Sequence, residues 1–424
     1  MPPVQALPAT PPLAPCSHGI LIMAKILILI GAHLCTAPRP QKEAAALAQA
    51  GHDVTVGGVW FDPTLVERDR LLMADLPYTF TPILDFRPEH PERVGVRLQA
   101  RLARAAFRRL GLFSPALLGY GTRSLLRFAL KEQADLTIVH SEAGLWVGDR
   151  LLQKGLQVGV DFEDWFSHDL LPEARATRPI AHLKKLEERL IRTCKYCLTT
   201  SNAMATALAQ FYQAPRPTVV YNTFPPVLTQ IDHRLDQQSI PKVHWFSQNI
   251  GRGRGLEALL QALPLLKRSV EVHLRGNCTD TTRQWLEELT PPDWRSRLFI
   301  HPTVPNHELP VRIAENDIGL ALEQSDPPNH DLTVSNKLFQ YLQAGLAVIA
   351  TNTAGQREVM AQCPKAGHLT PCDDSVALAR AINALIMDPM ALRSAKIAAL
   401  QAAQEQFCWE KQRDRLLQAI DRAL

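Results

Sequence analysis

The chain has 424 residues, 46% of them apolar and 21% charged, a length and balance that suit a globular protein of about two domains and exclude a single small core. A formal net charge of +4 and an aromatic content of 6% give no basic, base-stacking surface, so no nucleic-acid partner is expected. Of the eight cysteines, only Cys194 and Cys197 lie close together. They lack a second pair or histidines at ligand spacing, so neither a zinc nor a redox centre is predicted, and free thiols fit a reducing cytoplasm.

Residues 1–23 read as a disordered tail. They are rich in proline and alanine, and no positive charge precedes the short apolar patch Gly19 to Met23, so they do not read as a signal peptide. No apolar run approaches the roughly 18 residues that cross a bilayer. A first domain is predicted over 24–223. Lys25 to Ile30 is a buried strand, Gly31 to Pro40 a loop, Gln41 to Ala50 a helix ended by Gly51, and Val54 to Gly57 the next strand. That succession is one right-handed βαβ unit, and its loop lacks the Gly-x-Gly-x-x-Gly fingerprint of dinucleotide sites.

Between Pro91 and Lys131, nine basic residues from Arg93 to Lys131 face a single acid, Glu92. From Arg97 onward they alternate at helical spacing with Leu98, Leu102, Ala105 and Phe107. Such a stretch is either a solvated helix face or a basic amphipathic surface for an anionic membrane, where each Lys or Arg contributes on the order of 1 kcal/mol. Leu136 to His140 and Val158 to Phe162 are strands that both end in polar groups: His140, Ser141 and Glu142 after the first, and Asp161, Glu163, Asp164 and Trp165 around the second. In doubly wound sheets the carboxyl ends of strands line the ligand crevice. Ile180 to Arg192 is a charged helix, Tyr196 to Thr200 a strand, Asn202 to Phe211 a helix capped by Ser201, and Thr218 to Tyr221 the closing strand. Prolines 225, 226 and 241 mark a linker over 224–242.

A second domain is predicted over 243–405. After the strand Val243 to Phe246, the loop Ser247 to Gly255 alternates glycine with Arg252 and Arg254, so backbone N–H groups and guanidinium donors can turn toward an anion. The helix Leu256 to Leu263 follows. Glu271 to Leu274 is a strand ending at Arg275 and Gly276, and Leu298 to His301 and Ile318 to Leu322 are two more. Ser335 then caps a helix starting at Asn336, with Leu338, Phe339, Tyr341 and Leu342 on its apolar face. Gly345 stops it, and Leu346 to Ala350 is a strand buried on both sides. A terminal helix is predicted over 406–424.

The pattern carried by Ser335, Lys337, Phe339, Tyr341, Gly345 and Val348 resembles the nucleotide-sugar site of the family 4 retaining glycosyltransferases. The resemblance implies the GT-B fold: an α/β protein with two Rossmann-like domains facing across a cleft, and a terminal helix that crosses back onto the first. It implies a nucleotide-diphosphate-sugar donor, a glycan, lipid-linked or small-molecule acceptor, transfer with retention, no cofactor beyond the donor substrate and no metal. Arg254 with Gly253, and Lys337 with Asn336, are then the donor phosphate site. Arg275, Gly276 and Gln340 are the nucleotide site. His140, Glu163 and Asp164 are the catalytic groups on the acceptor side. The chain departs from the family where Gln248 replaces the usual upstream arginine, and where the paired glutamates fall on Leu332 and Gln340. Asp331, beside Leu332, is the expected substitute toward the donor sugar. The location implied is cytoplasmic, peripheral at the inner membrane face, in polysaccharide biosynthesis. The alternatives are a nucleotide-sugar epimerase on the same scaffold and a nucleotide-binding or scaffolding protein without turnover.

Overall fold

The computed structural model describes residues 23–175, 177–225 and 240–424. The tail, apart from Met23, and most of the 224–242 linker lie outside them.

The apolar runs pair into two parallel sheets. In the first, β1 (Lys25–Leu29), β2 (Asp53–Trp60), β3 (Thr79–Asp85), β4 (Leu136–Val139), β5 (Val158–Phe162), β6 (Cys197–Thr199) and β7 (Thr218–Val219) take the order β3-β2-β1-β4-β5-β6-β7. In the second, β8 (Lys242–Asn249), β9 (Glu271–Asn277), β10 (Leu298–His301), β11 (Ile318–Ala321), β12 (Ala347–Thr351) and β13 (Gly367–Thr370) take the order β10-β9-β8-β11-β12-β13. β1, β4, β5, β11 and β12 are buried almost throughout, as strands covered on both faces by helices must be. The order reverses between β1 and β4 in one sheet and between β8 and β11 in the other. At such switch points the connections leave to opposite faces and a crevice opens at the carboxyl ends.

Two edge strands were not predicted. β3 contains Pro82, which disrupts a strand pattern and is tolerated at an edge, and β13 is a short edge strand half open to solvent. The continuous helical stretch expected from Arg97 to Lys131 is instead two helices, Glu92–Leu110 and Thr122–Glu132. Gly111 ends the first in a left-handed conformation (φ 66°), its N–H bonded to the Phe107 carbonyl. Helix Glu92–Leu110 buries only Ala100 and Ala103 and exposes Val94, Leu98, Leu102 and Leu110.

The two halves share apolar and polar contacts. Tyr221, after β7, packs its ring against Phe339 and Phe407. Glu358 accepts from the Asn202 and Ala203 amides at 2.8 and 2.7 Å, at the start of helix Asn202–Tyr212. A carboxylate there meets the unpaired amides and the positive end of the helix dipole. The last helix, Trp409–Asp421, places Leu416, Ala419 and Ile420 in one cluster with Ile26, Leu47 and Val220 of the first half.

Candidate functional site

A cavity of about 600 Å³ lies between the sheets, built by the loops that leave the two switch points. Arg39 comes from the loop and helix after β1, His140 and Ser141 follow β4, and Glu163 and Asp164 follow β5. Facing them are Phe246 and Ser247 at the end of β8, Glu323 after β11, Asn329, and the start of helix Asn336–Gln343.

On the first-sheet side the charges form a buried network. His140 is 1% exposed, with Nε2 2.7 Å from Glu43 Oε2 and Nδ1 3.4 Å from Glu163 Oε1. Burial alone would lower its pKa, but the two carboxylates outweigh that and raise it to about 10. At neutral pH the ring is therefore an imidazolium, a donor and a fixed positive charge and not a base. Arg39 donates through Nε and Nη2 to Asp161 at 2.7 and 3.0 Å, and through Nη1 to the Val220 carbonyl at 2.6 Å. Glu43 also accepts from the Tyr196 hydroxyl at 2.5 Å. Ligand atoms of Glu43, His140 and Asp161 lie within 4.8 Å of one another, the spacing of a metal site. The chemistry of the set argues against it, since the imidazolium and the Arg39 fork already satisfy these carboxylates.

Asp164 and Asp169 both accept from the Asn329 amide, at 2.9 and 2.6 Å, while the Trp165 N–H donates to the Asn329 carbonyl oxygen at 2.8 Å. One side chain of the second half is thus held by three groups of the first. Burial and the neighbouring Asp169 charge push the Asp164 carboxyl up to about 7, so this pair holds a proton well above the usual carboxylate range.

On the second-sheet side Ser335 caps helix Asn336–Gln343 by accepting from the Lys337 amide. Lys337 Nζ lies 2.5 Å from Glu323 Oε1, and the Ser335 hydroxyl donates to the same oxygen at 2.8 Å. Burial pushes the Glu323 carboxyl up, but Lys337 outweighs it and holds the carboxyl below its ordinary value. A helix start plus an ammonium facing a cleft makes an anion site. Arg254 is not on the wall, but its Nη1 donates to Ser247 Oγ at 3.1 Å, and Ser247 and Lys337 share the wall. Gly255 has φ 76°, and a Cβ there would lie 2.7 Å from the Leu322 carbonyl oxygen. The loop therefore runs against β11, and only glycine fits.

The structure brings His140, Glu163, Asp164, Asn336 and Lys337 to one cavity. Other predicted residues stand apart. Asp331 is off the wall, and its carboxylate accepts from the Ala354 amide at 3.0 Å, at the start of helix Ala354–Met360. The acid that does face Lys337 is Glu323. The Gly253 amide donates to Glu257. Arg275 is buried and donates to the Pro302 carbonyl at 3.0 Å, with Gly276 packed behind Ser247. Gln340 lies one turn beyond Asn336, with its buried Oε1 unbonded among the described residues. Arg39, Glu43, Glu323 and Asn329 were not predicted as site residues.

Residues 241–388 match the family model described as glycosyl transferases group 1. No match is found among curated proteins. Among solved structures, HepE from Anabaena, in complex with UDP and glucose, is 18% identical with a TM-score of 0.66, the alignment covering 94% of this chain and 99% of that one. A glycosyltransferase from Rickettsia africae is 14% identical with a TM-score of 0.65, covering 94% and 98%. A Listeria monocytogenes structure assigned as a UDP-N-acetylglucosamine 2-epimerase is 10% identical with a TM-score of 0.59, covering 95% and 96%. Residues 241–388 thus belong to the group 1 glycosyl transferases, and the chain as a whole has the GT-B fold.

Proposed function

We propose that the protein transfers a sugar from a nucleotide-diphosphate-sugar donor to a hydroxyl acceptor, with retention of configuration. The observation that carries this is the Lys337 ammonium at a helix start, facing the His140 imidazolium and its carboxylates across one cavity. As the sugar–phosphate bond breaks, negative charge grows on the diphosphate, and the Lys337 ammonium, the amides of the helix start and Arg254 at the rim oppose it. Glu323, now paired with Lys337, releases that ammonium to the diphosphate and accepts a sugar hydroxyl. The acceptor oxygen attacks from the face the diphosphate leaves, a phosphate oxygen takes its proton, and no protein base is required. A His140 that stays protonated suits this division, because it donates to the sugar and takes up no proton. The complex of HepE with UDP and glucose supports the donor class.

Peripheral contact with an anionic membrane surface, on the cytoplasmic side, belongs to the same reading. Helix Glu92–Leu110 exposes Val94, Leu98 and Leu102 in one stripe, with Arg97 and Arg109 beside it. Among the described residues no single helix is long and apolar enough to cross a membrane.

The test is donor turnover by the purified full chain, measured against a panel of acceptors by mass spectrometry. Transfer with anomeric retention supports the reading, whereas donor isomerisation without acceptor, or donor binding without turnover, overturns it.

A further inference from the structure

A second cavity, of about 790 Å³, opens on the first half, away from the wall that holds His140 and Lys337. One side is a stripe of helix Glu92–Leu110 carrying Arg101, Arg104 and Arg108, spaced so that their side chains lie on one face. The other side holds Leu117, Gly119, Tyr120 and Arg178. No Asp or Glu is on this lining among the described residues.

Three guanidinium groups along one face repel one another and weaken the helix, and their stems bury little, since all three residues are exposed. Arg178 is differently placed. It pairs with Glu142 and donates to the Leu117 carbonyl at 3.1 Å, which fixes it as the far wall. A concave surface with three guanidinium groups along one side, and on the other the Nε of Arg178, unbonded among the described residues, is matched to a multivalent oxyanion, because guanidinium groups bind phosphate oxygens through paired N–H bonds.

The cavity also lies next to the cleft. Gly119 on its wall packs against Ala143, a Cβ there standing 3.1 Å from the Ala143 side chain. Ala143 and Glu142 belong to the first turn of helix Ser141–Leu152, whose first residue lines the cleft. The first turn of that helix therefore separates the Gly119 wall of this cavity from the cleft.

We propose that this arginine-lined cavity is a subsite for a phosphate or diphosphate group carried by the acceptor. This rests on the transferase reading for the word acceptor, while the anion site itself stands on the geometry. The acceptor hydroxyl enters the cleft beside His140, and its anionic portion is held behind the first turn of helix Ser141–Leu152.

Calorimetric titration of the full chain tests this, with geranyl diphosphate, inorganic diphosphate and geraniol as probes and no donor present. The triple variant Arg101→Gln, Arg104→Gln, Arg108→Gln changes only exposed side chains, and its melting temperature serves as the folding control. Affinity for geranyl diphosphate falls at least about tenfold in the variant, the worth of one lost charge-assisted contact or more, and geraniol does not bind. An equal loss for inorganic diphosphate shows that the site reads the free anion. A loss for geranyl diphosphate alone shows that it reads a lipid-linked one. Equal affinities of variant and native chain for both diphosphates overturn the proposal. So does a variant that loses binding to phosphatidylglycerol vesicles while its diphosphate affinity is unchanged, which assigns the arginines to the membrane surface. Because no donor is present, absence of sugar transfer would sink the transferase reading and leave this result standing.

Discussion

Lys337 shows how a single side chain sets the second half of the cleft. Its ammonium is held 2.5 Å from Glu323 at a capped helix start, so it is positioned before any diphosphate arrives. Lys337→Ala removes a charge-assisted contact worth about 1.5–3 kcal/mol. Donor affinity in that variant is expected to fall roughly ten- to hundredfold, with a lowered melting temperature because Glu323 loses its counter-charge; titration with the nucleotide diphosphate checks it, and unchanged affinity rejects the assignment. Asp164 gives a pH signature on the opposite wall. Its carboxyl is pushed up to about 7, above the value of an unfolded chain, by burial and by Asp169, with Glu163 adding and Asn329 and Arg39 opposing. The folded chain therefore binds the extra proton between about pH 4 and 7, and this contribution to stability is complete below that window and lost as pH rises through 7. Asp164→Asn should flatten the fall in melting temperature between about pH 4 and 7, and a variant with the native pH profile would refute this. His140, Glu163 and Asp164 were legible in the sequence because polar residues closing buried strands stand out against apolar runs. Glu43 was not, although it shares a helical face with Ala46 and Leu47, a placement that signals a buried charge. Glu323 was visible as the end of β11, but its pairing with Lys337 depends on how the following loop returns, which spacing does not specify.

At the scale of elements, β1, β4, β5, β11 and β12 were read from continuous apolar runs buried on both faces, and the edge strand β10 was read as well, from Leu298, Phe299 and Ile300. β3 and β13 escaped because Pro82 interrupts the first and the second, Gly367–Thr370, carries a single large apolar side chain, Leu369. The break between helices Glu92–Leu110 and Thr122–Glu132 falls in 110–122, where no basic residue occurs, and Gly111 supplies the left-handed turn that ends the first helix. The loop between β8 and helix Leu256–Ala262 depends on a comparable glycine. Gly255 combines φ 76° with contact against Leu322, so Gly255→Ala adds strain of about 1–3 kcal/mol and forces the loop away from β11. The expected result is a clear drop in melting temperature and weakened donor binding. A variant as stable as the native chain would show that the loop relaxes freely. Helix Glu92–Leu110 carries the membrane expectation. Leu98→Asp with Leu102→Asp inserts charge into its exposed apolar stripe and should abolish flotation with anionic vesicles, without altering the fold, because both leucines are more than half exposed. Retained flotation would place the contact elsewhere.

For the molecule as a whole, the cleft exists because two switch points face each other, and the distance between them is set by a few cross-contacts. Two side chains of the second half carry most of them: Glu358 accepts four bonds from Asn202, Ala203 and Tyr221, and Asn329, on the cleft wall, makes three. Asn329→Ala deletes these and leaves Asp164 and Asp169 facing each other without the shared amide. Small-angle scattering should then show a larger radius of gyration, and donor KM should rise more than kcat falls. An unchanged scattering profile would show that the apolar contacts alone set the spacing. Those contacts carry a practical consequence. Because Tyr221 completes a cluster made with Phe339 and Phe407, and helix Trp409–Asp421 supplies core to the opposite lobe, neither lobe expressed by itself would be sealed. A recombinant fragment ending after β7, or one beginning at β8, would present raw aromatic and aliphatic faces to solvent and aggregate, so binding studies on this protein require the intact polypeptide.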